Sequence, residues 1–328
     1  MTNTQALENE WPKMSKPAIR GLHNAGFVRL EELTNVSESD VLKIHGVGPK
    51  AVELLREALD GRGLSFRKMN EERGNQSAPE PVKSTGQSIE VDNMDVQTVM
   101  EELEALGKER TKKMYMSSGA HEPVFGVATG AMKPMAKKIK KDQALAEELY
   151  ATGNYDAMYF AGVIAEPKAM TEEDFDRWIE GAYFFMLSDY VVAVTLAETD
   201  IAQDVADKWI QSGEELKMSA GWSCYCWLLG NRKDEEFSET KLKGMLETVK
   251  ETIHDAPERT KSSMNNFVAT VGISYVPLHE VALQTAKEIG PVEMKRDGKK
   301  SSILRATESI EKEVERGKIG FKRKYVRC

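Results

Sequence analysis

The sequence predicts an all-α protein, an α-solenoid preceded by a small helix-hairpin-helix unit. Apolar residues recur at three- and four-residue intervals in segment after segment from 93 to 290, separated by short polar breaks. No stretch of that span alternates apolar and polar residues as a strand would. Nearer the N-terminus, Gly46-Val47-Gly48 stands between two apolar-periodic segments, and Pro49 opens the second of them.

That turn dictates the first unit. Leu42 and Ile44 close one helix, expected to end at Ile44, and Ala51, Leu54, Leu55 and Ala58 share a face of the next. Gly46 and Gly48 tolerate the dihedrals of a tight hairpin, and proline suits the first helical position. Backbone N–H groups at such a helix start can hold one phosphate, with the charge of Lys50 beside them. Pro17 to Gly26 reads as a degenerate first copy, with Leu30, Leu33 and Val41 continuing a small core. Residues 11–66 resemble the helix-hairpin-helix domains related to the C-terminal domain of the bacterial RNA polymerase alpha subunit. A helical domain that binds another protein through the same face is the alternative. The expected organisation is a helix-hairpin-helix domain at 1–68, a polar flexible linker at 69–92, a solenoid at 93–290 and a basic extension at 291–328.

Beyond the linker, helices are expected at 93–106, 133–140, 142–150, 155–165, 172–197, 201–211, 214–229, 238–253, 260–273 and 278–289. Breaks such as Ala151-Thr-Gly-Asn154 and Glu166-Pro167 join them. Antiparallel pairs of roughly 35–45 residues mark an α-solenoid of the HEAT or armadillo sort; a compact helical bundle is the competing arrangement. Trp178 and Trp209, bounded by acids, read as packing anchors.

Composition narrows the setting. The chain is 41% hydrophobic, 30% charged and 7% aromatic, which suits a helix-rich globular protein. No export signal and no apolar run of membrane-spanning length is visible. Cys224 and Cys226 lie on different faces of one helix and Cys328 is terminal, so neither a metal site nor a disulfide framework is expected, and the expected location is the reducing cytoplasm. The net charge of −8 is unevenly spread. Lys108 to Lys141 carries nine bases, among them Lys112, Lys113, Lys133, Lys137 and Lys138, against Glu109 and Glu122. Arg316 to Arg327 carries six, including Lys322, Arg323 and Lys324, and no acid. Local fields of this kind steer a polyanion, and together with the helix-hairpin-helix they make DNA the expected partner, double-stranded DNA by the resemblance given next.

The anomaly is Asp189, inside the otherwise apolar helix of residues 182–197. A carboxylate there must be paired, neutralised or facing a cavity. A functional group on a groove and a buried acid bonded to a helix end or to an arginine of the next helix fit the sequence equally. Around it, Gly126-Val127, Lys137–Asp142, Leu149–Tyr159, Ala165–Glu173, Trp178–Tyr183 and Trp209–Glu215 resemble blocks of the DNA alkylation repair family of HEAT-like DNA glycosylases. The resemblance covers roughly 93–290 and implies a HEAT-like α-solenoid. It also implies excision of positively charged alkylpurines, such as 3-methyladenine or 7-methylguanine, without metal or cofactor. In that family an aspartate and aromatic residues surround the lesion's deoxyribose, a carboxylate stabilising the oxocarbenium-like sugar as the glycosidic bond breaks. Carried over, the aspartate is Asp189, facing a basic trough sized for a double helix. Phe185 and Phe267 take the places of two tryptophans, with Tyr183 close to the first. The family's DNA-binding arginine falls on Met218 or Ser219, and Arg259 and Lys261 are candidate replacements. The departures leave a non-catalytic reader of damaged or branched DNA as the alternative, and a protein-binding scaffold as a third.

Overall fold

Two separate apolar cores divide the chain. The computed structural model describes residues 11–66, apart from 13, 15–17, 20, 23, 24, 26, 28, 43, 45 and 46, and residues 94–326 apart from 297. They belong to two units, Met1–Gly86 and Gln87–Cys328.

In the first unit Leu22, Leu30, Leu33, Val41, Val52, Leu55 and Leu59 form the core. Ser37 caps a short helix, α1 (Glu38–Val41), by accepting the Asp40 N–H. α2 (Pro49–Asp60) begins after an extended Gly48, with proline in its first turn. The helix expected to reach Ile44 stops at Val41. From there the Ile44 and Val47 N–H groups bond to carbonyls three residues back, so the chain passes through tight turns rather than α-helix. Leu42 consequently points outward, 44% exposed. Gly46 lies outside the described residues. Arg56 of α2 pairs with Glu38 of α1, joining the two helices across the turn.

The second unit is a row of helices: α3 (Val96–Leu106), α4 (Glu109–Ser117), α5 (Lys133–Ile139), α6 (Gln143–Ala151), α7 (Tyr155–Ile164) and α8 (Glu172–Gly181). After them come α9, which runs through Phe185–Leu187, Ser188–Val192 and Ala193–Ala197, then α10 (Ala202–Ile210), α11 (Glu215–Leu229), α12 (Glu239–Thr252), α13 (Glu258–Ser274) and α14 (His279–Ile289). Two locks tie a helix pair to its predecessor, and a third joins the two helices of one pair. Trp178 of α8 stacks on Tyr150 of α6 with ring centroids 4.3 Å apart and donates its indole N–H to Glu147 at 3.1 Å. Trp209 of α10 donates to Asp176 of α8 at 2.7 Å, and the Tyr225 hydroxyl of α11 to Asp207 of α10 at 2.7 Å. Each ring is buried while its polar edge reaches a surface carboxylate, the arrangement that lets tryptophan serve as an anchor. Neighbour-only links of this kind define a solenoid. Among the described residues, no helix is long and apolar enough to cross a membrane.

Two expectations need correcting. The helix expected over 172–197 is broken: α8 ends at Gly181 and Phe184 is extended before α9 begins. A side chain at Gly181 would press on the Tyr150 ring of α6, 3.2 Å away. The segment expected as an appended extension is built into the second unit. β1 (Val292–Arg296) and β2 (Lys299–Leu304) form an antiparallel hairpin with Val292 opposite Leu304. α15 (Ala306–Glu315) buries Ile310 over Gly272 of α13, where a Cβ would sit 2.6 Å from the isoleucine's Cδ1.

A loop between α4 and α5 depends on one carboxylate. Asp156 of α7, fully buried, accepts the N–H groups of Phe125, Gly126 and Val127 at 2.6, 3.0 and 2.8 Å. Gly126 has a φ of +82°, and a Cβ there would meet the Lys112 backbone nitrogen at 2.4 Å. Asp156→Ala strands three donors at once, so it should destabilise the chain by about 3–5 kcal/mol. Denaturant unfolding measures this, and a cost below about 1 kcal/mol would show that the loop is not held by that side chain.

Candidate functional site

The backbone that carries Asp189 departs from α-helical geometry. In the π-helical turn Ser188–Val192 the Ala193 N–H bonds to Ser188 O, one residue further back than in an α-helix. The Asp189 carbonyl is thereby available to the Trp227 indole N–H of α11, which donates to it at 3.0 Å.

The side chain is saturated. Asp189 Oδ2 accepts Arg259 Nη2 at 2.9 Å, Arg259 Nε at 3.1 Å and the Ser219 hydroxyl at 3.0 Å, while Oδ1 accepts the Ser188 hydroxyl at 2.8 Å. Its side chain is 3% exposed against 20% for Arg259. Burial pushes the Asp189 carboxyl's pKa up, and the guanidinium and the two hydroxyls pull it back. Arg259 lies over Phe185, its Cζ 3.9 Å from the ring centroid. Its backbone N–H donates to Glu215 at 2.7 Å, fastening the first turn of α13 to α11.

The carboxylate expected to look into an open trough is therefore sealed by an ion pair, because three helices converge on it with one cation and two hydroxyls. Arg259, expected as a phosphate anchor, spends two of its nitrogens on that pair. Lys261 is 8% exposed and bonds Glu258 at 2.8 Å. Of the expected aromatic residues, Phe185 reaches the pair through Arg259. Tyr183 stacks on His121 at 3.7 Å. Phe267 is fully buried, with the rings of Trp222 and Tyr225 at 5.0 and 6.1 Å. The neighbouring Asn266 and Thr270 of α13 face the cleft instead.

That cleft, of about 560 Å³, runs alongside the ion pair. Asp189, Tyr190, Trp227 and Arg259 line one side, and Phe321, Arg323 and Val326 of the C-terminal segment line another. Backbone bonds hold this segment in place: Gly320 N–H to Ile273 O at 2.7 Å and Arg323 N–H to Gly230 O at 2.8 Å. Asn231 donates to Arg323 O at 2.9 Å, and Lys322 bonds both Leu229 O, at 2.7 Å, and Asp234, at 2.8 Å. The sequence pointed to neither Trp227 nor Tyr190. Their signal would have been an indole and a phenol on helices flanking the odd aspartate.

The other expected DNA contacts are dispersed. Lys112 pairs with Glu122 at 2.7 Å and Lys113 with Glu109 at 3.5 Å. Lys133, Lys137 and Lys138 are exposed on α5, and Lys324 lies 5.2 Å from the exposed Tyr325 ring. Gly48 and Lys50 are exposed at the start of α2 in the other unit. Among the described residues, no group of three or more histidine, cysteine or acidic side chains is arranged to hold a metal ion.

A model of the DNA alkylation repair enzyme family matches residues 99–309. An uncharacterised protein of Listeria innocua is 29% identical over 216 residues, spanning 64% of this chain and 93% of the relative. Another, of Listeria monocytogenes, is 29% identical over 222 residues, spanning 66% and 96%. A solved structure is 78% identical with a TM-score of 0.70, covering 72% of this chain and 100% of its own. That protein is described as one of a new family related to the HEAT-like repeat DNA glycosylases, with affinity for branched DNA structures.

Removing the cation tests the pair. Arg259→Met should cost about 3 kcal/mol near neutral pH, because it leaves a buried charge without a partner. Burial alone then raises the folded-state pKa of Asp189 above its unfolded value. Between those two values the folded chain holds the proton, so the penalty shrinks as pH falls and grows as pH rises. Adding Asp189→Asn should recover most of the loss. Denaturant titrations across pH check both, and a loss that ignores pH and the second substitution would rule out the coupling.

Proposed function

This chain belongs to the DNA alkylation repair enzyme family, and from that membership we propose that it binds branched double-stranded DNA without excising a base. The saturation of Asp189 carries this reading. A glycosylase carboxylate must keep its charge for the sugar, where at about 4 Å and an effective dielectric near 20 it contributes about 4 kcal/mol. A guanidinium 2.9 Å from the same oxygen opposes that field with one of equal charge and opposite sign. The description of the 78%-identical protein supports the choice of branched DNA.

The phosphate contacts fall to exposed cations. Lys133, Lys137 and Lys138 on α5, and Lys324 in the C-terminal segment, are the proposed grip of the second unit. In the first unit the start of α2, with Gly48 and Lys50, offers N–H groups and a positive helix end to one phosphate. The reading calls for neither metal nor cofactor.

Excision of positively charged alkylpurines is the second reading, favoured by one observation: the Asp189–Arg259 pair borders the cleft and its guanidinium is partly exposed. If a DNA phosphate drew the guanidinium away, the carboxylate would face the sugar. One set of experiments separates the two. On alkylated duplex the wild type should release no more methylated purine than Asp189→Asn. It should bind forked DNA more tightly than matched linear duplex, with log affinity falling against log salt by about 0.9 per phosphate contacted. Purine release abolished in Asp189→Asn would establish the excision reading, and equal affinity for fork and duplex would remove branched DNA as the ligand.

A further inference from the structure

The cleft beside the ion pair has properties that duplex backbone binding does not use. Its volume of about 560 Å³ is within the roughly 300–1,000 Å³ of small-molecule sites. Two aromatic rings stand on one side, Tyr190, 44% exposed, and Trp227, with centroids 6.0 Å apart and planes at 80°. Trp227 is not free to turn, since its N–H is bonded to the Asp189 carbonyl. Arg323 rests 5.5 Å from the Trp227 centroid.

The charges of the cleft leave a surplus for an anion. Four cations line it (Arg259, Arg316, Lys318 and Arg323) against two carboxylates, Asp189 and Glu313, a balance of plus two. Arg259 is paired with Asp189 at 2.9 Å and Arg316 with Glu313 at 2.7 Å. The positive charges of Lys318 and Arg323 remain. Asn266 adds an exposed amide, donor and acceptor in one group.

We propose that this cleft is a nucleotide pocket that takes one unpaired nucleotide exposed at the branch of a DNA junction. The inference rests on the branched-DNA reading above and adds what part of the branch is recognised. A base inside a duplex is stacked on both faces and offers nothing to an indole. A base at a branch point has a free face, and a fixed aromatic ring with a neighbouring arginine is the general means of holding one. Arg323 and Lys318 meet the nucleotide's phosphate, Trp227 and Tyr190 the base, and Asn266 its edge. The Asp189–Arg259 pair acts here as a positioning element: the Asp189 carbonyl orients Trp227, and its side chain holds α13 in place. Because the C-terminal segment is bonded to Leu229, Gly230 and Ile273, the far wall is already in place before any ligand arrives.

The test uses the full chain and a DNA fork with 2-aminopurine as the unpaired nucleotide at the branch, compared with the same probe placed in the middle of an arm. Binding should change the probe's emission at the branch and not in the arm. Arg323→Ala should weaken fork binding about tenfold while leaving matched linear duplex within about twofold. An unchanged branch probe with wild-type protein overturns the pocket even if a variant fails to fold. So does a fork preference that survives Arg323→Ala, an equal loss on fork and duplex, or tighter binding by the variant, which would make the C-terminal segment a plug. A wild type with no preference for fork over duplex instead removes the branched-DNA reading on which the pocket rests.

Discussion

A single buried ion pair sets the geometry of everything around the cleft. Asp189 is on α9, Ser219 on α11 and Arg259 on α13, and four hydrogen bonds to one carboxylate bring the three helices together. Burying a charge is tolerable only when its partners are in place, so the position of each helix is constrained by the other two. The π-helical turn adds a second consequence, releasing a carbonyl that orients Trp227. The protein thus uses both ends of one residue, the carboxylate to hold the helices and the main chain to aim a ring.

Much of the helical plan could be read from the sequence, because amphipathic periodicity is a local property. Between 94 and 290 the helices fall where the pattern puts them, apart from Glu109–Ser117, which it did not mark, and the break after Gly181, and Trp178 and Trp209 are buried anchors. The oddity of Asp189 was legible too. Its partner was not, since Arg259 is 70 positions away and nothing in either segment names the other. Phe267 shows a sharper limit. On a helix one residue is a rotation of about 100°, which separates a ring in the core from Asn266 in the cleft. The break after Gly181 was not legible because Ala182, Tyr183 and Phe184 continue the apolar run without a helix-breaking residue. The C-terminal segment read as basic tail because charge dominates its composition, whereas its placement rests on backbone hydrogen bonds that composition cannot encode.

The proposed function separates membership of the alkylation repair family from the chemistry of the site. The scaffold matches over residues 99–309, yet the group that would face a sugar is occupied. Where the resemblance leads one to expect a DNA-binding arginine the chain has Met218 and Ser219, and Ser219 donates to Asp189. The guanidinium comes instead from Arg259 and points at the acid. A cation that serves DNA in one arrangement serves the protein's own carboxylate in the other. On the proposed reading, a change in so few side chains separates two chemistries on one shared fold.

The serial locks of the second unit carry a mechanical consequence. Glu147 to Trp178, Asp176 to Trp209 and Asp207 to Tyr225 each span one joint and no more. In a row linked this way a change of curvature is shared among many joints rather than taken up at one, except where Asp189 clamps α9, α11 and α13 together.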